Sequence, residues 1–413
     1  MTEKRKNIDK VPNLTNHFPK LRFPEFSGEW EVKKLGDLLE FKNGINASKE
    51  QYGQGVKFVN VSDILNNDFL TYDNIIGFVD IDNSTLSKYS VEYGDILFQR
   101  SSETREEVGT ANVYLDKEKT ATFGGFVIRG KKIGKYEPIF FNHLLKTFNA
   151  RNSITTKSGG STRYNVGQET LSSVKLYFPS IEEQNKISSF LNLLDERISS
   201  SMKTIQNLET LIKGVSRKLF TQKIRFKEFA DEWEVKKLGE VLNEPKQVPV
   251  EKPNEVELLT VKLHCKGIEN TGDYPAVTKN GRPYYRRFKN EILIGRQNFH
   301  NGGIGIVKGE NDGKICSNAI SSYNVLTDNL LFVYFYISRP QYYTRVDDLI
   351  GGTGQKEISK SEFSKLKINI PCIEEQTKIA DFLSKISDKI ETEKKILELL
   401  EQQKKYFLQN MFI

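Results

Sequence analysis

Side chains that could do chemistry are few in this chain, and none stands in a complete set. Glu31-Val-Lys33 and Glu234-Val-Lys236 have the residue types that end a metal-dependent nuclease motif, in which carboxylates hold a divalent ion beside a lysine, yet no Pro-Asp element precedes either. Gly130 to Lys135 and Gly309 to Lys314 approach a phosphate-cradling loop, whose backbone amides and lysine grip a nucleotide. Both have one residue too few between the glycines, and the following Tyr136 and Ile315 offer no hydroxyl placed for magnesium. These read as turns. No Pro-Pro pair exists, so the Pro-Pro-aromatic motif of an adenine methyltransferase is missing. His264 and Cys265 are adjacent, but neighbours in a strand point to opposite faces and no second pair follows. With no Cys-His or Ser-His-Asp set either, the residues favour binding over catalysis, and no metal or catalytic residue is expected.

The bulk charge suits a polyanionic partner but also describes many proteins with none. Lys and Arg number 61 against 54 Asp and Glu, a formal charge of +7 and a pI near 8.9. A chain of 413 residues exceeds one ordinary core, so two domains are expected. Cys265, Cys316 and Cys372 are far apart, which describes a reduced, cytoplasmic protein without a disulfide framework. Met1 to Phe18 is polar and basic, without the apolar stretch of a secretory signal, and reads as a loose arm over 1–20. The most apolar run, Leu330 to Ile337, is far shorter than the roughly 20 residues a membrane span needs, so no membrane segment is expected.

Stepping along the chain reveals a duplication. EWEVKKLG at Glu29 to Gly36 recurs unchanged at Glu232 to Gly239, an offset of 203, inside the longer match of LRFPEFSGEWEVKKLGDLL with IRFKEFADEWEVKKLGEVL. GDILFQR from Gly94 answers NEILIGR from Asn290 at an offset of 196, so Arg100 matches Arg296. Pro179-Ser-Ile-Glu-Glu-Gln184 matches Pro371-Cys-Ile-Glu-Glu-Gln376 at 192. Similar edges around divergent middles imply two copies of one scaffold carrying different surfaces. Because Glu31 and Glu234 lie inside the repeated segment, with Trp30 and Trp233 as anchors, packing explains them better than catalysis.

Each copy ends in an apolar stripe at steps of three and four. The first runs Ile187, Leu191, Leu194, Ile198, Ile205, Leu208, Ile212, Val215 and Leu219, with Met202 filling the gap after Ile198. The second runs Ile379, Leu383, Ile386, Ile390, Leu397, Leu400, Phe407 and Met411, interrupted by Lys394 and Lys404. A helix from about Ile181 to Phe220 would be roughly 60 Å long and cannot stabilise itself alone. The two should bury against each other as a coiled-coil-like pair, antiparallel if a pseudo-twofold axis relates the copies. Between signature and helix the pattern predicts strands at Val56 to Val61, Asp95 to Phe98, Phe126 to Ile128 and Val174 to Phe178. One interrupting helix is predicted per copy, Pro138 to Phe148 and Asn329 to Ile337, where Phe140 aligns with Phe332 as core.

This arrangement resembles the specificity subunits of Type I restriction-modification enzymes: tandem target-recognition domains, each followed by a long helix opening on Pro-x-x-Glu-Glu-Gln-x-x-Ile, here Pro179 to Ile187 and Pro371 to Ile379. The likeness covers nearly the whole chain from Leu21 and includes EWEVKKLG, the GDILFQR-like strand, and the SGGSTRYNV and IGGTGQKEI stretches. It implies an α+β fold with an N-terminal arm (1–20), recognition domains over 21–180 and 223–372, and antiparallel helices over 181–222 and 373–413. It also implies a subunit that is not an enzyme and binds no cofactor itself. Its partners would be double-stranded DNA, two methyltransferase subunits that bind S-adenosylmethionine, and restriction subunits that use ATP and magnesium. A stand-alone duplicated DNA-binding protein, or a nuclease built on the Glu-x-Lys elements, are the alternatives.

Candidate DNA contacts follow glycine, hydroxyl and basic clustering. In the first copy they are Arg100, Ser101 and Ser102, with Lys157, Ser158, Gly159, Gly160, Ser161, Thr162 and Arg163. In the second they are Arg296, Gln297 and Asn298, with Gly351, Gly352, Thr353, Gly354, Gln355 and Lys356. Gln297 and Asn298 suit bidentate pairing with adenine. Arg286 and Arg287, between aromatics, are a further basic pair that could equally be a solvated strand edge. Glu183, Gln184, Glu375 and Gln376 are candidates for the methyltransferase interface on the outer helix faces, although first-turn acids also suit the helix dipole.

Overall fold

The structure is a computed structural model that describes residues 17–160, 162–276, 282–345 and 357–413. The chain divides into two units, Met1–Ser200 with Ile396–Ile413, and Ser201–Lys395.

In the first unit the repeated signature forms strand Glu31–Lys34 and one helical turn, Leu35–Leu38. The strand pairs antiparallel with Lys175–Phe178, while Trp30, Leu35 and Leu38 turn into the core. Gly36 permits this packing, since a Cβ there would lie 2.0 Å from Ser172 Oγ. An antiparallel sheet follows in the order Leu39–Asn43, Val127–Lys132, Ile96–Gln99 and Ala111–Val113. Ile96, Leu97 and Phe98 are fully buried, which is why that strand reads as an unbroken apolar run. Helix Pro138–Lys146 starts on Pro138, where a missing N–H costs nothing, and its Phe140 meets Trp30 at 5.9 Å between ring centres.

The second unit repeats this plan. Glu234–Lys237 pairs with Lys367–Ile370, and the sheet runs Leu242–Asn243, Ile320–Val325, Ile292–Gly295 and Ile304–Ile306. Helix Leu330–Ile337 starts at an Asn329 cap and sets Phe332 against Trp233 at 5.9 Å.

The first copy holds more helix than the single one expected. Val61–Asn66, Asn83–Lys88, Phe148–Thr155 and Gln168–Ser172 are also helical. Asp82 and Thr147 cap two of these through side-chain oxygens, and Asn60 ends the strand Tyr52–Val59 by opening a capping box with Asp63. The predicted strand therefore stops two residues early.

The long helices are Ile181–Phe220 and Ile373–Asn410. Inside the first unit, Phe190 of the first meets Phe407 of the second at 4.8 Å, and Lys404 pairs with Asp195 at 2.6 Å. Inside the second unit, Lys394 pairs with Glu209 at 2.6 Å. Start meets end in one unit and end meets start in the other, so the pair is antiparallel. Lys394 and Lys404, which looked like interruptions of the stripe, are its cross-helix ion pairs. Ser201, not Met202, holds the inward register: it is 2% exposed, and Met202 is 55% exposed. Each helix ends as a plug. Leu219 and Phe220 enter the second unit's core, and Met411 and Phe412 enter the first unit's. No helix among the described residues is long and apolar enough to cross a membrane.

Candidate nucleic-acid interface

The structure brings together the two candidate segments of the first unit. Arg100 leaves the central strand with its N–H donating to the Phe126 carbonyl (2.9 Å) and its carbonyl accepting from Val166 N–H (3.0 Å). Ser101–Ser102 then pairs with Tyr164–Asn165, and Gly159 and Asn165 exchange backbone bonds at 3.0 and 2.9 Å. Gly160 sits at φ +115, and a Cβ there would lie 1.9 Å from the Arg163 carbonyl, so the turn requires glycine. Arg100, Thr162 and Arg163 are exposed, the last 4.0 Å from Glu103. Others of the set are bonded within the unit: the exposed Lys157 Nζ donates to the Ser173 carbonyl (3.0 Å), Ser158 Oγ donates to the Thr155 carbonyl, and Ser102 is buried on Glu107. Ser161 lies outside the described residues.

The second unit has the same frame with different side chains. Arg296 N–H donates to the Ala319 carbonyl (3.4 Å), and its carbonyl accepts from Ile358 N–H (3.2 Å). Its Nε donates to Glu357 at 2.7 Å. Where the first unit has Asn165 bonded by Ser101, the second thus has Glu357 bonded by Arg296. Gln297 and the exposed Asn298 follow in the tight turn Arg296–Asn301. Gly351, Gly352, Thr353, Gly354, Gln355 and Lys356 lie outside the described residues.

Two expectations are corrected by burial. Arg287 is 2% exposed, with its guanidinium donating to Gln247 Oε1, Ser322 Oγ and the Ile320 carbonyl at 2.9 to 3.1 Å, so it braces the core instead of forming a strand edge. Burial raises the carboxyl pKa of nearby Glu291, with Arg287 opposing the rise. Asp95 and the buried Arg129 repeat this relation in the first unit. Arg286 is half-buried and donates to the Gly313 carbonyl.

Glu183, Gln184, Glu375 and Gln376 face inward, each at most 2% exposed, and so cannot present a docking face. Glu183 takes two bonds from Arg22 and Glu375 two from Arg225, all 2.7 Å. Gln184 donates to the Pro179 carbonyl (2.9 Å) and accepts from Glu137 N–H (3.0 Å), which ties the last strand's end to the interior helix's start. Gln376 does the same with Pro371 and Asn329. The clamping arginines were missed, although each follows Leu or Ile and precedes Phe at the repeat offset of 203.

The glutamates that suggested a nuclease are exposed rather than packed. Glu31 and Glu234 pair with Lys33 and Lys236 at 3.2 and 3.3 Å on the surface of their strands. His264 and Cys265 lie in a left-handed turn (φ +57 and +53), not a strand, and burial raises the Cys265 thiol pKa to about 11. Among the described residues no group of three or more His, Cys, Asp or Glu could hold a metal ion.

Comparison with known proteins agrees with the duplicated frame. The model for the Type I restriction modification DNA specificity domain matches twice, over residues 27–210 and 230–402. The chain is 28% identical to the putative Type I restriction enzyme MjaX specificity subunit of Methanocaldococcus jannaschii, with 94% of each chain covered. It is 24% identical to the MjaVIII specificity subunit of that organism, covering 93% of this chain and 92% of that one. The fold is similar to the crystal structure of a Type I restriction-modification S subunit from M. genitalium, at a TM-score of 0.62 and 17% identity, covering 96% and 99% of the two chains. With a family model matched across both copies, the chain belongs to the Type I restriction-modification DNA specificity family, as a non-catalytic specificity subunit.

Proposed function

We propose that each unit reads one half of an asymmetric bipartite site in double-stranded DNA through the major groove, where base edges carry a unique donor and acceptor pattern. The observation that carries this is one backbone frame used twice with unlike side chains. Arg100 and Arg296 hold the same bonds, while Ser101 with Asn165 is replaced by Arg296 with Glu357. Recognition domains over 21–180 and 223–372 then read, and helices over 181–222 and 373–413 set the spacer, while most of the expected arm over 1–20 lies outside the described residues.

Chemistry belongs to the partners. Two methyltransferase subunits bring S-adenosylmethionine, and restriction subunits bring ATP and magnesium, in the cytoplasm. A target adenine leaves the stack for the methyltransferase pocket, at a cost of a few kcal/mol, while this chain supplies grip. With the Glu-Gln pairs turned inward, the methyltransferase face moves to exposed apolar helix positions: Leu193 and Leu399 in the first unit, Met202 and Leu211 in the second.

Single-molecule methylome sequencing tests this reading, in cells expressing the chain with a Type I methyltransferase subunit and in cells with that subunit alone. Methyladenine in a bipartite motif seen only with this chain is the expected result. No new motif despite a confirmed complex would shift the assignment to a solitary DNA-binding protein.

A further inference from the structure

Two cavities open at corresponding places in the units, beside the arginines already described. In the first unit one of about 280 Å³ is lined by Asn46, Tyr52, Phe58, Asn60, Gly125 and Phe126. In the second, one of about 160 Å³ is lined by Gln247, Tyr285, Arg287, Arg296, Asn318 and Lys360. Sheet register establishes the correspondence. Leu39 lies opposite Lys132 as Leu242 lies opposite Val325, so the chain running on to Asn46 matches the chain running on to Gln247. Arg100 N–H bonds the Phe126 carbonyl as Arg296 N–H bonds that of Ala319, so Gly125 matches Asn318. The Arg100 guanidinium also reaches the Gly125 carbonyl at 3.3 Å.

The first cavity depends on glycine. A Cβ on Gly124 would lie 2.9 Å from the Phe58 ring, and one on Gly125 would lie 1.9 Å from Asn46 Oδ1. Its lining is uncharged: two asparagine amides and aromatic rings, with Phe126 70% exposed at the mouth. The second cavity has a cationic rim. Arg296 and Lys360 are bonded by the surface carboxylates Glu357 and Glu244. Such pairs, more than a third exposed on the acidic side, exchange readily for another acceptor.

A scaffold copied once that keeps a cavity in place and changes its lining has made the lining its variable part. We propose that these cavities take up base edges, the first from an A·T pair and the second from a G·C pair, in the two half-sites. The inference rests on the DNA-reading function above. Asparagine pairs in bidentate fashion with adenine N6 and N7, and an aromatic ring packs on the thymine methyl. Arginine and lysine match the two acceptors of guanine, O6 and N7.

The test uses the purified complex with its methyltransferase subunit, assayed for methylation of duplexes that carry each single base-pair change in each half-site. Asn46→Ala and Phe126→Ala should relax discrimination about tenfold at one A·T pair in one half-site. Arg296→Ala and Lys360→Ala should do so at one G·C pair in the other. Asn46, Phe126 and Lys360 are exposed and Arg296 is half-buried, and the half-site read by the untouched unit reports that the variant is folded. Unchanged discrimination at every position, or uniform weakening across all sequences, overturns the inference. A wild-type complex that discriminates at no position overturns the DNA-reading function itself.

Discussion

Arg22 and Glu183, with their repeats Arg225 and Glu375, join the entry of each copy to the start of a long helix through a carboxylate at most 1% exposed. Breaking a buried pair strands its partner, so Glu183→Ala should cost about 3–5 kcal/mol of first-unit stability. Urea unfolding followed by Trp30 fluorescence in a Trp233→Phe background reads that unit alone. Another residue makes stability depend on pH. His143 lies in the first unit with its Nδ1 unpartnered and Asp195 3.7 Å from its Nε2. Burial first, then Lys404 and Lys146, lowers its pKa from 6.5 to about 3, against a weaker pull from Asp68. Between those values the unfolded chain binds the proton and the folded one does not, so stability falls as pH drops below about 6.5. The aligned position in the second unit is Phe335, and His143→Phe should reduce the loss between pH 7 and pH 5 by about 2 kcal/mol, measured by urea unfolding at both pH values. The Glu-Glu-Gln motif was visible as a repeat, but its inward direction was not. An acid in a first turn suits the dipole wherever it points, and only the partner arginine, some 160 residues away, decides the face.

The long helices were legible because an apolar period sustained over ten turns has no other reading. Ser201 was not, since register rather than hydrophobicity puts it inside. The short helices of the first copy escaped because they are one or two turns long and are held by caps, Asp82 and Thr147, and a capping box at Asn60, rather than by a periodic stripe. If the helices set the DNA spacer, their length is adjustable. Seven residues, two turns, inserted after Ser200 and again before Ile396 would keep the apolar register and add roughly 10 Å. The methylated motif should then gain about three base pairs of spacer with both half-site sequences unchanged, as methylome sequencing would report.

At the scale of the whole molecule, each core is finished by a helix that began in the other unit. Phe412 packs on Trp30 and Phe140, at 6.3 and 5.3 Å, so Phe412→Ala should cost about 3–5 kcal/mol. Hydrogen exchange should rise in the first unit's helix Pro138–Lys146 and stay unchanged in Leu330–Ile337. The equivalence extends to the backbone. Leu21 N–H bonds the Asn410 carbonyl (2.8 Å), and Ile224 N–H bonds that of Lys218 (3.3 Å), the same bond at offsets of 203 and 192. In the second case Thr221, Gln222 and Lys223 span the junction covalently. The two places are equivalent seams in the fold, so a permuted polypeptide opened at Gln222, with a short link joining Ile413 to His17, would keep the helix-end contacts of both units.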